Sequence, residues 1–77
     1  MEIKVLGPGC PKCKQTYEVV NKAVAAVGVD ATVQKVTGMM DIAAHGVMGT
    51  PAVVIDGQVK CVGKVPGQAE VEAWLRG

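Results

Sequence analysis

The amino-acid sequence predicts an α/β fold in which three helices flank a mixed four-stranded sheet, in the order β-α-β-α-β-β-α. Three observations lead to this prediction. Residues 2–6 (EIKVL) alternate between polar and apolar side chains, as a half-buried strand does. Residues 11–27 change to the period of an amphipathic helix. Asp56-Gly57 separates two runs rich in β-branched residues, which is a strong signal for a two-residue β-hairpin.

The first β-α-β unit occupies residues 2–36. Its helix is predicted over Pro11–Val27, because proline suits the first helical turn and Gly28 suits the position just past the last one. A second strand follows over residues 31–36 (ATVQKV). A β-α-β crossover is right-handed and joins parallel strands, so we expect the first two strands to be parallel. The helical residues predicted to face the core are Tyr17, Val20, Val24 and Val27.

A short second helix is predicted over residues 38–45. Thr37 is its expected N-cap and Gly46 its end. His45 then lies in the last turn, where a positive charge is favourable. The side chains expected to pack against the protein are Met39, Met40, Ala43, Ala44 and Met48. Met48 also stands close to the Thr50-Pro51 segment, where it could contact a substrate.

The hairpin and a third helix complete the chain. Residues 52–55 (AVVI) are apolar on both faces, which predicts a central strand, and residues 58–62 (QVKCV) form its antiparallel neighbour. The last helix follows residues 63–66 and runs through Leu75, with Gly67 as its cap. Two features favour a helix here: Glu70 lies near its N-terminus, where an acidic side chain is favourable, and the residues of its apolar face are Val71, Trp74 and Leu75.

Length, charge and composition restrict the classes of function. A chain of 77 residues (1–77) forms one domain, since it is too short for a second hydrophobic core. A net charge of +1, from 8 basic and 7 acidic residues, excludes the basic footprint of a nucleic-acid binder. The N-terminus lacks the features of a signal peptide, and no apolar run approaches a membrane span. Three cysteines, an odd number, argue against a secreted disulfide framework, so we expect a cytoplasmic protein.

The octapeptide GPGCPKCK (residues 7–14) carries the candidate chemistry. Cys13 extends the buried helical stripe, whereas Cys10 lies one turn earlier, at the exposed mouth of the helix. Free backbone N–H groups at a helix N-terminus stabilise a thiolate, and Lys12 and Lys14 add positive charge, so we expect a lowered pKa for Cys10. Cys10 would attack a substrate disulfide, and Cys13 would then attack the mixed disulfide and release the reduced substrate.

Metal binding is the main alternative for the same cysteine pair. A structural zinc site needs two further ligands, and the remaining candidates, Cys61 and His45, are far apart in the sequence. Cys61 shares strand parity with Val59 and is predicted to be a small buried hydrophobe. A carrier of Cu(I) or zinc that uses only the two thiolates stays open as the second interpretation. An electron-relay module that serves a larger enzyme is a third.

Three stretches together resemble the thioredoxin/glutaredoxin family, and especially its small prokaryotic members known as redox-active disulfide proteins. They are GPGCPKCK (7–14), GVMGTPAVVIDG (46–57) and VGKVPG (62–67). The resemblance covers nearly the whole chain and implies a thioredoxin-like fold, thiol–disulfide oxidoreductase activity and no cofactor or metal. It also implies that protein disulfides are the substrates, that a reductase or another thiol is the electron donor, and that the protein is a monomer.

The same resemblance implies a surface for the substrate. Pro51 would have a cis peptide bond and pack beside the cysteines. The backbone of Thr50 would pair with an extended segment of the substrate, and Gly63 would lie at a third edge of this surface.

The chain departs from the larger thioredoxins around the cysteines. Those proteins have Trp-Cys-Gly-Pro-Cys, whereas here Gly9 precedes Cys10 and Pro-Lys separates the two cysteines. No acidic residue is predicted to be a buried proton acceptor near Cys13, since Glu2 and Asp41 are expected at the surface.

Overall fold

The computed structural model describes residues 1–77 and contains four strands and three helices in the predicted order. The elements are β1 (Glu2–Leu6), α1 (Pro11–Val27), β2 (Thr32–Val36), α2 (Met39–Ala44), β3 (Ala52–Ile55), β4 (Gln58–Val62) and α3 (Gln68–Arg76). The predicted bounds of β1, α1, β3 and β4 are confirmed. β2 begins one residue later than predicted, and α2 is one residue shorter at each end.

The four strands form one mixed sheet in the order β2-β1-β3-β4. β1 is parallel to β2 and β3 is antiparallel to β4, as predicted. β1 is also antiparallel to β3, a pairing that was not predicted. Leu6, the last residue of β1, is in register with Val36 at the end of β2 and with Ala52 at the start of β3. Ala52 in turn pairs with Val62 at the end of β4. The loops next to these four positions therefore gather at one end of the sheet.

Two apolar cores lie on opposite faces of the sheet. The larger core joins the sheet to α1 and α3, and its buried residues are Ile3, Val5, Val20, Ala23, Val53, Ile55, Cys61, Val71 and Leu75. The smaller core joins the sheet to α2, and its buried residues are Leu6, Ile42, Val47, Ala52 and Val54. In β1 and β3 the odd-numbered residues face the first core and the even-numbered residues face the second, since side chains alternate along a strand. The helices thus flank the sheet on both faces, as predicted.

Helix α1 begins and ends where the sequence predicts. Pro11 opens it, and Gly28, with φ of 77°, closes it by donating its N–H to the Val24 carbonyl over 2.9 Å. The buried face is shifted by about one position from the predicted stripe and comprises Cys13, Thr16, Val20 and Ala23. Thr16 tolerates burial because its hydroxyl donates to the Lys12 carbonyl over 2.9 Å. The residues displaced to the margin of the larger core are Tyr17, Val24 and Val27.

Helix α2 differs from its prediction in its cap and its buried face. Its N-cap is Gly38, not Thr37, and no side chain hydrogen-bonds at this cap. Ile42 is the only buried residue of the helix, since fewer than two turns present few side chains to a core. The residues predicted to pack are exposed instead: Met39, Met40, Ala43, Ala44 and Met48. His45 is the C-cap, and its Nδ1 lies 2.9 Å from the Asp41 carbonyl oxygen.

Strand β4 contains an irregularity that inverts its side-chain parity. Val59 pairs with Val54 while Cys61 pairs with Val53, so Lys60 is an extra residue in the ladder. Because of this bulge, Val59 and Cys61 face opposite sides of the sheet: Val59 is 43% exposed and Cys61 is 8% exposed. The prediction that Cys61 is buried is confirmed, but the parity with Val59 on which it rested is wrong.

Helix α3 is held at its N-terminus by Glu70. The Glu70 carboxylate accepts a hydrogen bond from the Gly67 N–H over 3.4 Å and forms an ion pair with Lys64 at 3.3 Å. Trp74, predicted to be a core residue, is only partly buried at the margin of the larger core. None of the three helices combines the length and the apolar character that a membrane crossing requires.

Candidate active site

The two cysteines and the Thr50-Pro51 segment lie at the same end of the sheet. The cysteine loop leaves the last residue of β1, which pairs with the first residue of β3, and Pro51 directly precedes β3. Gly7 donates its N–H to the Val36 carbonyl over 2.9 Å, which holds the start of the cysteine loop against the end of β2. This arrangement brings together segments that are more than 35 residues apart in the sequence.

Cys10 is the N-cap residue of α1. Its Sγ accepts a hydrogen bond from the Cys13 backbone N–H over 3.3 Å, and the first turn contains no acidic side chain. A hydrogen bond from the Cys13 thiol lowers the pKa of Cys10, and the backbone N–H groups of Cys13 and Lys12 lower it further, against an opposing effect of burial. Cys10 is partly exposed, so its thiolate, the nucleophilic form, is accessible to a substrate.

Cys13 has the opposite environment. It is 5% exposed and belongs to the buried face of α1. Burial raises the pKa of the Cys13 thiol, and its hydrogen bond to the Cys10 sulfur raises it further. The predicted difference in exposure between the two cysteines is therefore observed, and on titration Cys10 loses its proton before Cys13 does.

Gly7 makes room for the Cys13 thiol. A Cβ atom on Gly7 would collide with Cys13 Sγ, would lie 3.1 Å from Cys13 Cβ and would lie 3.8 Å from Thr50 Cβ. Gly7 is thus the point at which the buried cysteine and the Thr50 segment meet. The sequence did not identify this role of Gly7, because its contacts with Cys13 and Thr50 arise only in the folded chain.

The Thr50–Pro51 peptide bond is cis, and Pro51 is fully buried. The Pro51 carbonyl accepts a hydrogen bond from the Gly63 N–H over 2.8 Å, which ties the segment before β3 to the residue after β4. Gly49 packs close to Gly63, since a Cβ on Gly49 would lie 3.7 Å from Gly63 Cα. The three residues that the family resemblance assigns to the substrate surface, Thr50, Pro51 and Gly63, are therefore linked to one another.

A small cavity of about 130 Å³ lies beside Cys13, with two lysines at its border. The lining residues are Val5, Gly7, Gly9, Cys13, Lys14, Lys35 and Thr37. Lys35 was not found by sequence reasoning, and its Nζ lies 4.4 Å from the centroid of the Tyr17 ring. No carboxylate lines the cavity, and Glu2 and Asp41 are exposed, as predicted.

A second cavity, of about 210 Å³, adjoins the Thr50 segment on the α2 side and is called the methionine groove below. Its lining residues are Pro8, Met39, Ile42, Ala43, Val47, Met48, Gly49 and Thr50, none of which is charged.

Cys61 and His45 do not join the cysteine pair. No cluster of three or more His, Cys, Asp or Glu side chains is placed to hold a metal ion. Cys61 lies in the larger core, where burial raises the pKa of its thiol, and its Sγ is 4.0 Å from the Lys64 carbonyl oxygen.

Comparison with known proteins agrees with this geometry. The sequence profile of the thioredoxin domain matches residues 1–76. Thioredoxin from Methanocaldococcus jannaschii is 45% identical over 74 residues, which cover 96% of this chain and 85% of that protein. Thioredoxin from Methanothermobacter thermautotrophicus is 31% identical over 75 residues, which cover 97% of each chain. With the observed sheet, and with the cysteine pair and the cis proline at the same end of it, these similarities show that the chain belongs to the thioredoxin family and is a protein disulfide oxidoreductase.

Proposed function

We propose that this protein exchanges electrons with protein disulfides through Cys10 and Cys13, with Cys10 as the attacking and Cys13 as the resolving residue. The observation that carries the proposal is the unequal placement of the two sulfurs: Cys10 is partly exposed and accepts the Cys13 N–H at the helix N-terminus, whereas Cys13 is 5% exposed. Hydrogen bonds favour the Cys10 thiolate at the exposed helix N-terminus, whereas burial keeps Cys13 protonated.

The reaction then has two steps. The Cys10 thiolate forms a bond to one substrate sulfur, the substrate disulfide breaks, and the other substrate sulfur leaves as a thiolate that takes up a proton. Cys13 loses its proton and attacks Cys10 Sγ, which breaks the mixed disulfide and releases the second substrate thiol. The substrate gains two electrons, and the protein is left with a Cys10–Cys13 disulfide. A reductase or another thiol donor has to return the two electrons.

Thr50, Pro51 and Gly63 are the proposed substrate-binding residues. An extended segment of the substrate would pair with the backbone of Thr50, in the manner of an added strand. Two contacts support this assignment: Thr50 adjoins Gly7 beside Cys13, and Gly63 is hydrogen-bonded to Pro51.

Lys12 and Lys14 are proposed to increase the thiolate fraction of Cys10 through their positive charges. Both side chains are exposed, and both belong to the first turn of α1, next to Cys10. Exposed charges act weakly through water, so we propose a small and salt-dependent contribution from each.

Trapping of the mixed disulfide tests the assignment of roles. The reduced protein is mixed with insulin, quenched with an alkylating reagent and analysed by non-reducing electrophoresis and mass spectrometry. Cys13→Ser should accumulate a mixed disulfide through Cys10, whereas Cys10→Ser should accumulate none. Cys61→Ser is the matched control and should behave like the wild type, because Cys61 lies in the core away from the pair.

Two results would contradict the proposal. Accumulation of substrate on Cys13 in the Cys10→Ser variant would reverse the two roles. Absence of any mixed disulfide, together with binding of one Cu(I) or zinc ion per chain that requires both cysteines, would identify a soft-metal carrier instead.

A further inference from the structure

The methionine groove is bordered by two thioethers that the fold leaves open to solvent. Met39 is 71% exposed and Met48 is 98% exposed, whereas Ile42 and Val47 at the base of the groove are buried in the smaller core. Neither methionine is needed to fill the core. Both sulfurs are accordingly accessible to oxidants, since methionine oxidation requires access of the oxidant to the thioether.

The methionine groove adjoins two segments of the site. Pro8, two residues before Cys10, lines the groove on one side and Thr50 lines it on another. Thr50 also adjoins Gly7, which contacts the buried Cys13. The groove is therefore flanked by the segment that precedes Cys10 and by Thr50, which precedes Pro51. Because no lining residue is charged, the occupant that fits it is the apolar polypeptide segment that flanks the substrate disulfide.

We propose that Met39 and Met48 form an oxidation site at which conversion of the thioethers to sulfoxides weakens the docking of protein substrates. The proposal rests on the thiol–disulfide function assigned above to Cys10 and Cys13. In each oxidation the O–O bond of a peroxide breaks and one oxygen forms an S=O bond. The sulfur loses two electrons, and the peroxide is reduced to water or an alcohol. Methionine sulfoxide reductases reverse this change.

The sulfoxide changes the groove by adding a strong hydrogen-bond acceptor to an uncharged, apolar surface. A substrate segment that covers the groove would have to remove water from this acceptor without a donor to replace it. A disulfide too small to extend over the groove would meet no such barrier. The modification thus acts on the choice of substrate and leaves the chemistry of the cysteine pair intact.

Met40 supplies a matched control. It is 86% exposed and precedes Asp41 in the same helix, but it does not line the groove. The disulfide form of each protein, which protects Cys10 and Cys13, is treated with hydrogen peroxide in a Cys61→Ser background. Peroxide is removed, the disulfide is reduced with dithiothreitol, and sulfoxides are located by mass spectrometry. The rates of reduction of insulin and of a small aromatic disulfide are then measured.

We expect oxidation to lower the second-order rate constant for insulin about fivefold to tenfold in the wild type and in Met40→Leu. The Met39→Leu/Met48→Leu double variant should reduce insulin at the same rate before and after peroxide treatment, and peroxide treatment should leave the rate for the small disulfide unchanged in every protein. Three results would each overturn the proposal. Peroxide treatment could slow insulin reduction by the double variant as much as by the wild type, it could leave only Met40→Leu unaffected, or it could slow reduction of the small disulfide as much as that of insulin. Failure of the untreated protein to reduce either disulfide would instead overturn the function on which it rests.

Discussion

Substitution of Gly7 by alanine tests how the fold accommodates the buried thiol. Gly7 does not have a positive φ, so alanine is compatible with the backbone and the effect is purely steric. The added methyl group would overlap Cys13 Sγ and crowd Cys13 Cβ at 3.1 Å. Overpacking of this kind costs about 1–3 kcal/mol. In a domain of this size, each 1 kcal/mol lowers Tm by about 4–8 °C.

A double-mutant cycle separates the contact with the sulfur from other effects of the methyl group. In a Cys13→Ala background the sulfur is absent, so the cost of Gly7→Ala should fall below about 1 kcal/mol, and the coupling energy should be about 1–2 kcal/mol. Gly67→Ala is the control, since no atom lies within 4 Å of an added Cβ there. It should cost about 1 kcal/mol or less, through a poorer N-cap alone.

The measurements are urea or thermal unfolding of the reduced proteins and the lifetime of the mixed disulfide with insulin. Displacement of Cys13 should slow the resolving step by about tenfold to a hundredfold, since misplacement of a reacting group by about 1 Å costs up to that factor. The first attack by Cys10 should be nearly unaffected. Two results would refute the assignment of Gly7 as the residue that makes room for the thiol. Gly7→Ala could lower the free energy of unfolding equally with and without the Cys13 sulfur, or the Gly7→Ala variant could resolve the mixed disulfide at the wild-type rate.

Three further predictions concern the pair and the smaller core. The alkylation rate of Cys10 should reach half its maximum at a lower pH than the rate of an ordinary thiol does, and the alkylation rate of Cys13 should do so at a higher pH. Equal midpoints for the two cysteines, measured by mass spectrometry of the labelled peptides, would contradict the difference between their environments. Lys12→Gln should slow the alkylation of Cys10 at neutral pH by less than about fivefold, and the difference should vanish in high salt; an effect insensitive to salt would contradict a charge mechanism. Ile42→Ala should cost about 2–5 kcal/mol in urea unfolding and Met40→Ala less than about 0.5 kcal/mol, and the reverse order would contradict the observed face of α2.

The elements that could be predicted from the sequence are those bounded by local signals. Pro11 and Gly28 delimit α1, and both act within one turn of their own position. Asp56 and Gly57 have φ of 48° and 82°, so both adopt the left-handed conformation that a two-residue hairpin turn requires. The order of elements, the parallel relation of β1 and β2 and the hairpin of β3 and β4 followed from these signals and from the rule for β-α-β crossovers.

The errors arose where the local signal was too short or where the ladder was irregular. The six residues of α2 form fewer than two turns, too few repeats of the helical period to identify Ile42 as the buried residue. In β4 the strict alternation that parity arguments assume is broken by Lys60. Within the site, the spacing of the cysteines was informative by itself. Gly7 contacts Cys13, and Lys35 lines the cavity beside it, only in the tertiary fold.

The inequality of Cys10 and Cys13 depends on residues outside the CxxC segment. The helix N-terminus explains the Cys10 thiolate, because its N–H groups would serve any sulfur at that position. It does not explain why Cys13 keeps its proton, since Cys13 occupies the first turn of the same helix. That property requires burial, and burial requires that the end of β1 carry no side chain where the thiol lies, a condition that Gly7 meets. A resolving cysteine of this kind is therefore defined jointly by the helix that bears it and by the glycine of the preceding strand end. A CxxC at a helix N-terminus that faced a bulkier residue there would be expected to hold two thiols of more similar reactivity.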